Sequence, residues 1–416
     1  MSTRSWAAVA AAALLTTGLA SAPSATAAPA TAASRTASTP ATVSTPHASR
    51  SARHGELRKP RGTLLRARPL RTAAALPSAR ATYLVEYVSV GARDQKIRVT
   101  GTVSLPEGKA PRGGWRVLSW AHGTTGTADP CAPSRDTVDG PAHDYLGRVD
   151  QTLDRWSRAG YVVAKTDYEG LGTPGDHPYI NGPSAARTLA DIVVAARQLS
   201  SQVGRQWVVS GHSQGGHAAL AAAAGPRRHR GTELLGAVSL APGGVGLSQT
   251  APYIKNNLPG AQAAISFLPP LLLGAAAATD TVDADALVTD AAQPLLDAGR
   301  TGCMDAIREV ADTLTPAQVF EPDADFGPLT AYLDSQDAVR LIPRVPTFVA
   351  AGTADVLVAK PGVDYLVSVL CGSAPPIDYS VYQGADHRAV IDESYAETRA
   401  YADALFRGRT PAGSAC

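Results

Sequence analysis

The chain has 416 residues, 44% of them hydrophobic and 18% charged, with a formal net charge of +2. Residues 28–80 carry ten Lys/Arg and one acid, Glu56, whereas residues 81–416 carry 27 Lys/Arg against 35 Asp/Glu, a net of −8. The larger part is therefore acidic, which argues against a nucleic-acid surface on it. No internal repeat, heptad pattern or phosphate-binding glycine loop is present.

In chain order, Arg4, the apolar run "WAAVAAAALLTTGLA" and the small residues Ala25-Thr26-Ala27 read as an export signal over residues 1–27. The run is too short to be a membrane anchor. The later "AISFLPPLLLGAAAA" is interrupted by Pro269 and Pro270, so no transmembrane segment is expected. Residues 28–80, rich in Ala, Ser, Thr, Pro and Arg without apolar periodicity, read as a disordered basic pro-segment or linker.

From Ala81 onward, strand-like runs recur at "TYLVEYVSV", "KIRVTGTVSL", "WRVLSWAHG", "GYVVAKTDY", "QWVVSG", "LGAVSLAP", "PTFVAAGTAD" and "IDYSVYQGADH". Helical stretches such as "YLGRVDQTLDRWSRAG" and "SAARTLADIVVAARQLSSQ" separate the later ones. Alternating strands and helices predict an α/β fold, with a mostly parallel central sheet covered by helices on both faces. The first two runs predict an antiparallel hairpin at one edge. A mostly helical stretch, 246–339, breaks the alternation and reads as an inserted cap, which leaves 81–245 and 340–416 as the core.

"VVSGHSQGGHAAL" (Val208 to Leu220) places Ser213 between a short apolar strand and an alanine-rich helix that stops at Gly225. That is the setting of a nucleophile elbow, in which flanking glycines permit a strained turn and the helix N-terminus favours negative charge. Of the nine histidines, His387 follows the last strand and is the candidate general base. Asp355, where the strand "PTFVAAG" runs into a loop, is the candidate carboxylate that fixes its tautomer. Asp386 is adjacent to His387 in sequence, and such neighbours usually diverge. The chain order Ser213, Asp355, His387 is the one expected of an α/β hydrolase. Oxyanion donors are expected from the N–H of Gln214 and from "HGTTG", with Thr124 first and Gly123 second.

The four cysteines fit no zinc spacing. An even number in an exported chain predicts two disulfides with three possible connectivities. Cys131–Cys303 with Cys371–Cys416 is favoured, because the first would tie the cap to the oxyanion loop and the second would pin the C-terminus.

Over most of residues 81–416 the chain resembles the secretory lipases of the fungal lipase A type. The resemblance rests on "AHGTTG", "TDYEGLGTPGDHPYI", "GHSQGG", "GTADVLV" and "GADH". It implies an α/β-hydrolase fold with a helical cap between nucleophile and acid, hydrolysis of fatty-acyl esters at or near a lipid–water interface, and no metal or organic cofactor. It also implies an apolar acyl tunnel beneath the cap. Candidate substrate contacts are Tyr168, in the "DYEGLG" stretch, and Phe267, Leu268, Leu271 and Leu272, which equally fit a role anchoring the cap. Three other readings stay open: a carboxylesterase for short or aromatic acyl groups, an exopeptidase in which Glu169 supplies a carboxylate, and a non-catalytic binding protein on a hydrolase scaffold.

Overall fold

A computed structural model describes residues 55–372, 375–409, 411 and 416. The expected export signal, and the basic segment as far as residue 54, lie outside the described residues. The strands are β1 (Leu64–Pro69), β2 (Ala79–Val90), β3 (Lys96–Pro106), β4 (Trp115–Ala121), β5 (Tyr161–Thr166), β6 (Val203–His212), β7 (Arg228–His229), β8 (Thr232–Leu240), β9 (Thr347–Gly352) and β10 (Ile377–Tyr382). Among the described residues they form one sheet in the order β1-β2-β3-β5-β4-β6-β8-β9-β10, with β7 paired to β8. Pairing is antiparallel from β1 to β5 and parallel from β5 to β10.

The parallel strands are covered on both faces, which is why β5 and β9 are buried along their whole length. Alternation along each strand divides their side chains between two apolar layers. Val117 and Val209 meet Leu189, Ile192 and Ala218 of helices α1 (Gly182–Leu199) and α2 (Gln214–Ala224). Leu118 and Val208 point the other way, towards Leu146, Leu153 and Trp156 of the helix His143–Arg158 and Leu405 of the helix Tyr395–Phe406.

The folded region begins earlier than composition suggests. Residues 56–80 are not a disordered arm, for they supply β1 on the outer side of β2, so the β2–β3 hairpin is not the sheet edge. Leu70, Ala74 and Leu76 are buried. Two of the arginines there are paired with acids: Arg66 lies 2.7 Å from both Glu56 and Glu86, and Arg61 lies 2.9 Å from the buried Asp191. Two of these acids, Glu86 and Asp191, lie outside 28–80, so a local charge count could not see the pairing.

Between β8 and β9 the chain forms a helical insertion with its own apolar cluster, including Ile265, Leu268, Leu272, Leu296 and Ile307. Its central helix, α3 (Leu268–Ala278), starts with Pro269 and Pro270 in the first turn, where the missing N–H groups cost nothing. The prolines open the helix instead of breaking it. Together with the preceding turn, Ala261–Ala278 is long and apolar enough to cross a membrane, but more than half of it is buried inside the protein. Two disulfides are present, Cys131–Cys303 and Cys371–Cys416. The first joins the segment after β4 to the insertion, where Gly126 also bridges Cys303.

Candidate active site

Strand order reverses between β4 and β6, so the crevice at their carboxyl ends is the place where an open α/β sheet gathers reactive groups. Ser213 sits there, between β6 and α2, with φ +59° and ψ −117°. A non-glycine residue at positive φ is strained, and the surrounding turn has no slack to relieve it. A Cβ on Gly211 would lie 2.2 Å from the Gly215 carbonyl oxygen, and one on Gly215 would lie 1.9 Å from that of Ala121. Both glycines are therefore required for the close approach. The Ser213 N–H donates to the Leu240 carbonyl at 2.9 Å, which fastens the turn to β8.

His387 lies in the loop after β10, and its Nδ1 is 2.7 Å from Asp355 Oδ2. Asp355 follows β9 and is buried. Its other oxygen accepts the N–H groups of Leu357 and Val358 at 2.9 and 2.8 Å. An ionised carboxylate held this way keeps the proton on His387 Nδ1 and leaves Nε2 as the acceptor. Asp386 has a different job. It accepts the N–H groups of Ala389 and Arg388, and those bonds, Ala389 first, hold its carboxyl below the usual range.

The candidate oxyanion donors separate in the same way. The Gln214 and Thr124 N–H groups have no acceptor among the described residues. Gly123 does not qualify, because its N–H donates to the Tyr145 hydroxyl at 2.8 Å. The Thr124 hydroxyl lies 2.8 Å from that of Tyr179. The Gln214 side chain is fixed by His177, whose Nδ1–H donates to the Glu169 carbonyl at 2.7 Å and whose Nε2 accepts the Gln214 amide at 2.9 Å. Burial lowers the His177 pKa to about 4, and that of His122, beside Gly123, to about 3.

Ser213, Gln214 and His387 line a cavity of about 270 Å³. Phe267 and Leu271 of the insertion line it as well. Leu268 and Leu272 do not; both are fully buried in the insertion's own apolar cluster, to which Leu271 also belongs. Tyr168 does not line it either; its buried hydroxyl donates to the His122 carbonyl at 3.0 Å. Tyr179, Leu247, Val356 and Leu357 also line it, a role the sequence analysis did not give them. Tyr145 was equally silent; His212 stood inside the elbow motif without a function attached. Among the described residues no Asp or Glu lines the cavity. Glu169 is buried, and Ser184, Ala92 and Gln95 hold its carboxylate.

Residues 142–394 match the model of the hydrolase family described as serine aminopeptidase, S33. The chain belongs to that family. Among solved structures it is similar to Candida antarctica lipase A, with a TM-score of 0.71 and 18% identity over 85% of this chain and 84% of that one. It is also similar to the rice cell wall degrading esterase LipA from Xanthomonas oryzae, with a TM-score of 0.64 and 20% identity over 84% of this chain and 100% of that one. At these identities the likeness establishes the α/β-hydrolase fold. No curated protein matches the sequence.

Proposed function

We propose that this family member is a secreted serine ester hydrolase acting on fatty-acyl esters through Ser213, His387 and Asp355. The observation that carries the proposal is the character of the cavity. Ser213 and His387 both line a space whose walls are largely apolar and hold no carboxylate among the described residues. An aminopeptidase needs an anion to hold the substrate's ammonium group, and Glu169, the one candidate, is occupied elsewhere. Two disulfides support export to an oxidising compartment.

In this mechanism His387 Nε2 takes the Ser213 proton as the hydroxyl oxygen attacks the ester carbonyl carbon. Asp355 stabilises the resulting imidazolium and keeps its ring oriented. The oxyanion is held by the Gln214 and Thr124 N–H groups, each worth on the order of 3 kcal/mol at the transition state. The alkoxide leaves with the proton from His387. Water, deprotonated by the same imidazole, then attacks the acyl-enzyme and releases the acid.

The test is a kcat/KM profile on p-nitrophenyl esters from acetate to palmitate, kept below their micelle concentrations, with leucine p-nitroanilide alongside. A maximum at medium or long acyl chains and no anilide hydrolysis supports the proposal. A maximum at acetate identifies a short-chain carboxylesterase, and preferred anilide cleavage identifies a peptidase.

A further inference from the structure

The elbow sequence contains a histidine, His212, that the mechanism above does not use. It is fully buried behind the candidate base, its ring centroid 4.5 Å from that of His387. His212 Nε2 lies 2.6 Å from the main-chain carbonyl oxygen of His387, and its Nδ1 lies 3.0 Å from the Tyr145 hydroxyl. That hydroxyl in turn accepts the Gly123 N–H at 2.8 Å.

The directions of these bonds are determined by chemistry. A carbonyl oxygen only accepts, so His212 Nε2 carries a proton. Burial, and then the neighbouring His387, push the His212 pKa well below its ordinary value, so the ring is neutral and Nδ1 bears a lone pair. Tyr145 must therefore donate to Nδ1, which leaves its oxygen free to accept from Gly123. The chain runs one way: Gly123 N–H to Tyr145 O–H, to His212, to His387 C=O.

This chain joins two segments that are distant in sequence. Gly123 belongs to the oxyanion loop after β4, and His387 to the loop after β10. A displacement of about 1 Å between catalytic groups is enough to cost about 10²-fold in rate. Gly123 is glycine for a related reason, since a Cβ there would lie 2.5 Å from the Tyr145 hydroxyl.

We propose that Tyr145 and His212 are positioning residues, which lock the oxyanion loop to the loop of the general base through this single directed hydrogen-bond chain. The proposal rests on the reading of Ser213, His387 and Thr124 given above. A neutral ring at position 212 also spares His387 a cationic neighbour when it becomes an imidazolium.

Steady-state hydrolysis of p-nitrophenyl butyrate by the full-length protein tests it, with Tyr145→Phe, His212→Leu, His212→Gln and the Tyr145→Phe/His212→Leu double variant. His212→Leu is expected to lower kcat by about 10²-fold with KM changed less than about twofold, and Tyr145→Phe by about 10-fold. Because the chain acts as one unit, the double variant should fall within about threefold of His212→Leu alone. His212→Gln restores an N–H donor near the Nε2 position and should regain about 10-fold over the leucine variant. Multiplicative losses in the double variant, or a glutamine variant no better than leucine, overturn the proposal.

Histidine ¹⁵N NMR gives a readout independent of turnover. At pH 7 His212 should carry its proton on Nε2, and Tyr145→Phe should shift the Nδ1 resonance; an Nδ1-protonated ring contradicts the chain outright. If the wild type lacks esterase activity, the ester reading fails while the NMR result still decides the hydrogen-bond chain. If Ser213→Ala abolishes a wild-type activity that the Tyr145 and His212 variants retain, only the positioning role fails.

Discussion

On the sheet side of the cavity, Ser213, Asp355 and His387 stand one, three and five residues beyond the ends of β6, β9 and β10. Main-chain groups fix this side closely: Leu240 holds the elbow, and the Leu357 and Val358 N–H groups hold Asp355. The insertion side is built differently. Phe267 and Leu271 line the cavity while packing, with Leu268 and Leu272, into the insertion's own core. On the proposed function the first side sets the chemistry, and it depends on backbone geometry that few other residues could adopt. The second sets the size and shape of the space, by side-chain packing that tolerates exchange of one apolar group for another.

Substitutions that probe the two sides should therefore behave in opposite ways. The largest effect is expected on the sheet side. Ser213→Ala should lower kcat by about 10⁶-fold, as loss of a triad nucleophile does, while thermal unfolding shows an intact fold; retention of a tenth of the activity contradicts the role. Asp355→Asn should cost about 10⁴-fold, since the amide can present the wrong partner to His387 Nδ1. Asp386→Asn should cost less than about 10-fold, because that side chain organises only its own turn. The reverse ranking in measured kcat would exchange the two aspartates.

On the insertion side, stability and specificity should separate between adjacent residues. Leu271→Trp narrows the cavity and should shift the preferred acyl chain shorter, with about 0.8 kcal/mol of binding lost per excluded methylene. Leu272→Ala should leave the chain-length profile unchanged and instead lower unfolding free energy by about 2–5 kcal/mol, the usual cost of emptying a packed core site. A profile change for Leu272→Ala, or none for Leu271→Trp, would contradict the assignment of Leu271, and not Leu272, to the cavity wall.

This contrast also explains what could be read from the sequence. The strands were legible because buried parallel strands are near-continuous apolar runs, and the elbow because its glycines are sterically compulsory. Asp355 was preferred over Asp386 from its place after a strand, and its bond to His387 agrees with that choice. The cap contacts were not legible. Leu268, Leu271 and Leu272 are the same residue type, and which one meets the cavity depends on the rotation of a helix whose apolar character extends all round. Tyr168 was misassigned because a tyrosine in a distinctive stretch gives no sign of its direction. Gly123 was offered as a donor because its partner, Tyr145, is 22 residues away on a helix. Residues 56–80 were lost to a composition average that hid one short edge strand.

The smallest expected effect concerns acid stability. Burial depresses the pKa values of His177 to about 4 and His122 to about 3, below the ordinary value near 6.5. Between those values the unfolded chain binds a proton that the folded chain does not, so stability rises with pH across that range. The contribution is complete above about pH 6.5 and is lost as pH falls through the folded values. His177→Gln removes one titrating group while retaining an acceptor for the Gln214 amide. Its fall in Tm between pH 6.5 and 4.5 should be smaller than that of the wild type by about 2–4 °C. An identical fall would mean that His177 titrates normally.

The most direct measurement of the central claim is stoichiometric labelling with diethyl p-nitrophenyl phosphate, followed by peptide mapping. An activated serine beside a neutral imidazole attacks the phosphorus and expels p-nitrophenolate, leaving a diethylphosphoryl ester. One such group per chain is expected, carried by Ser213, with hydrolytic activity falling in proportion to its incorporation. Full activity in a chain labelled at Ser213, or complete inactivation with the label on another residue, would contradict it.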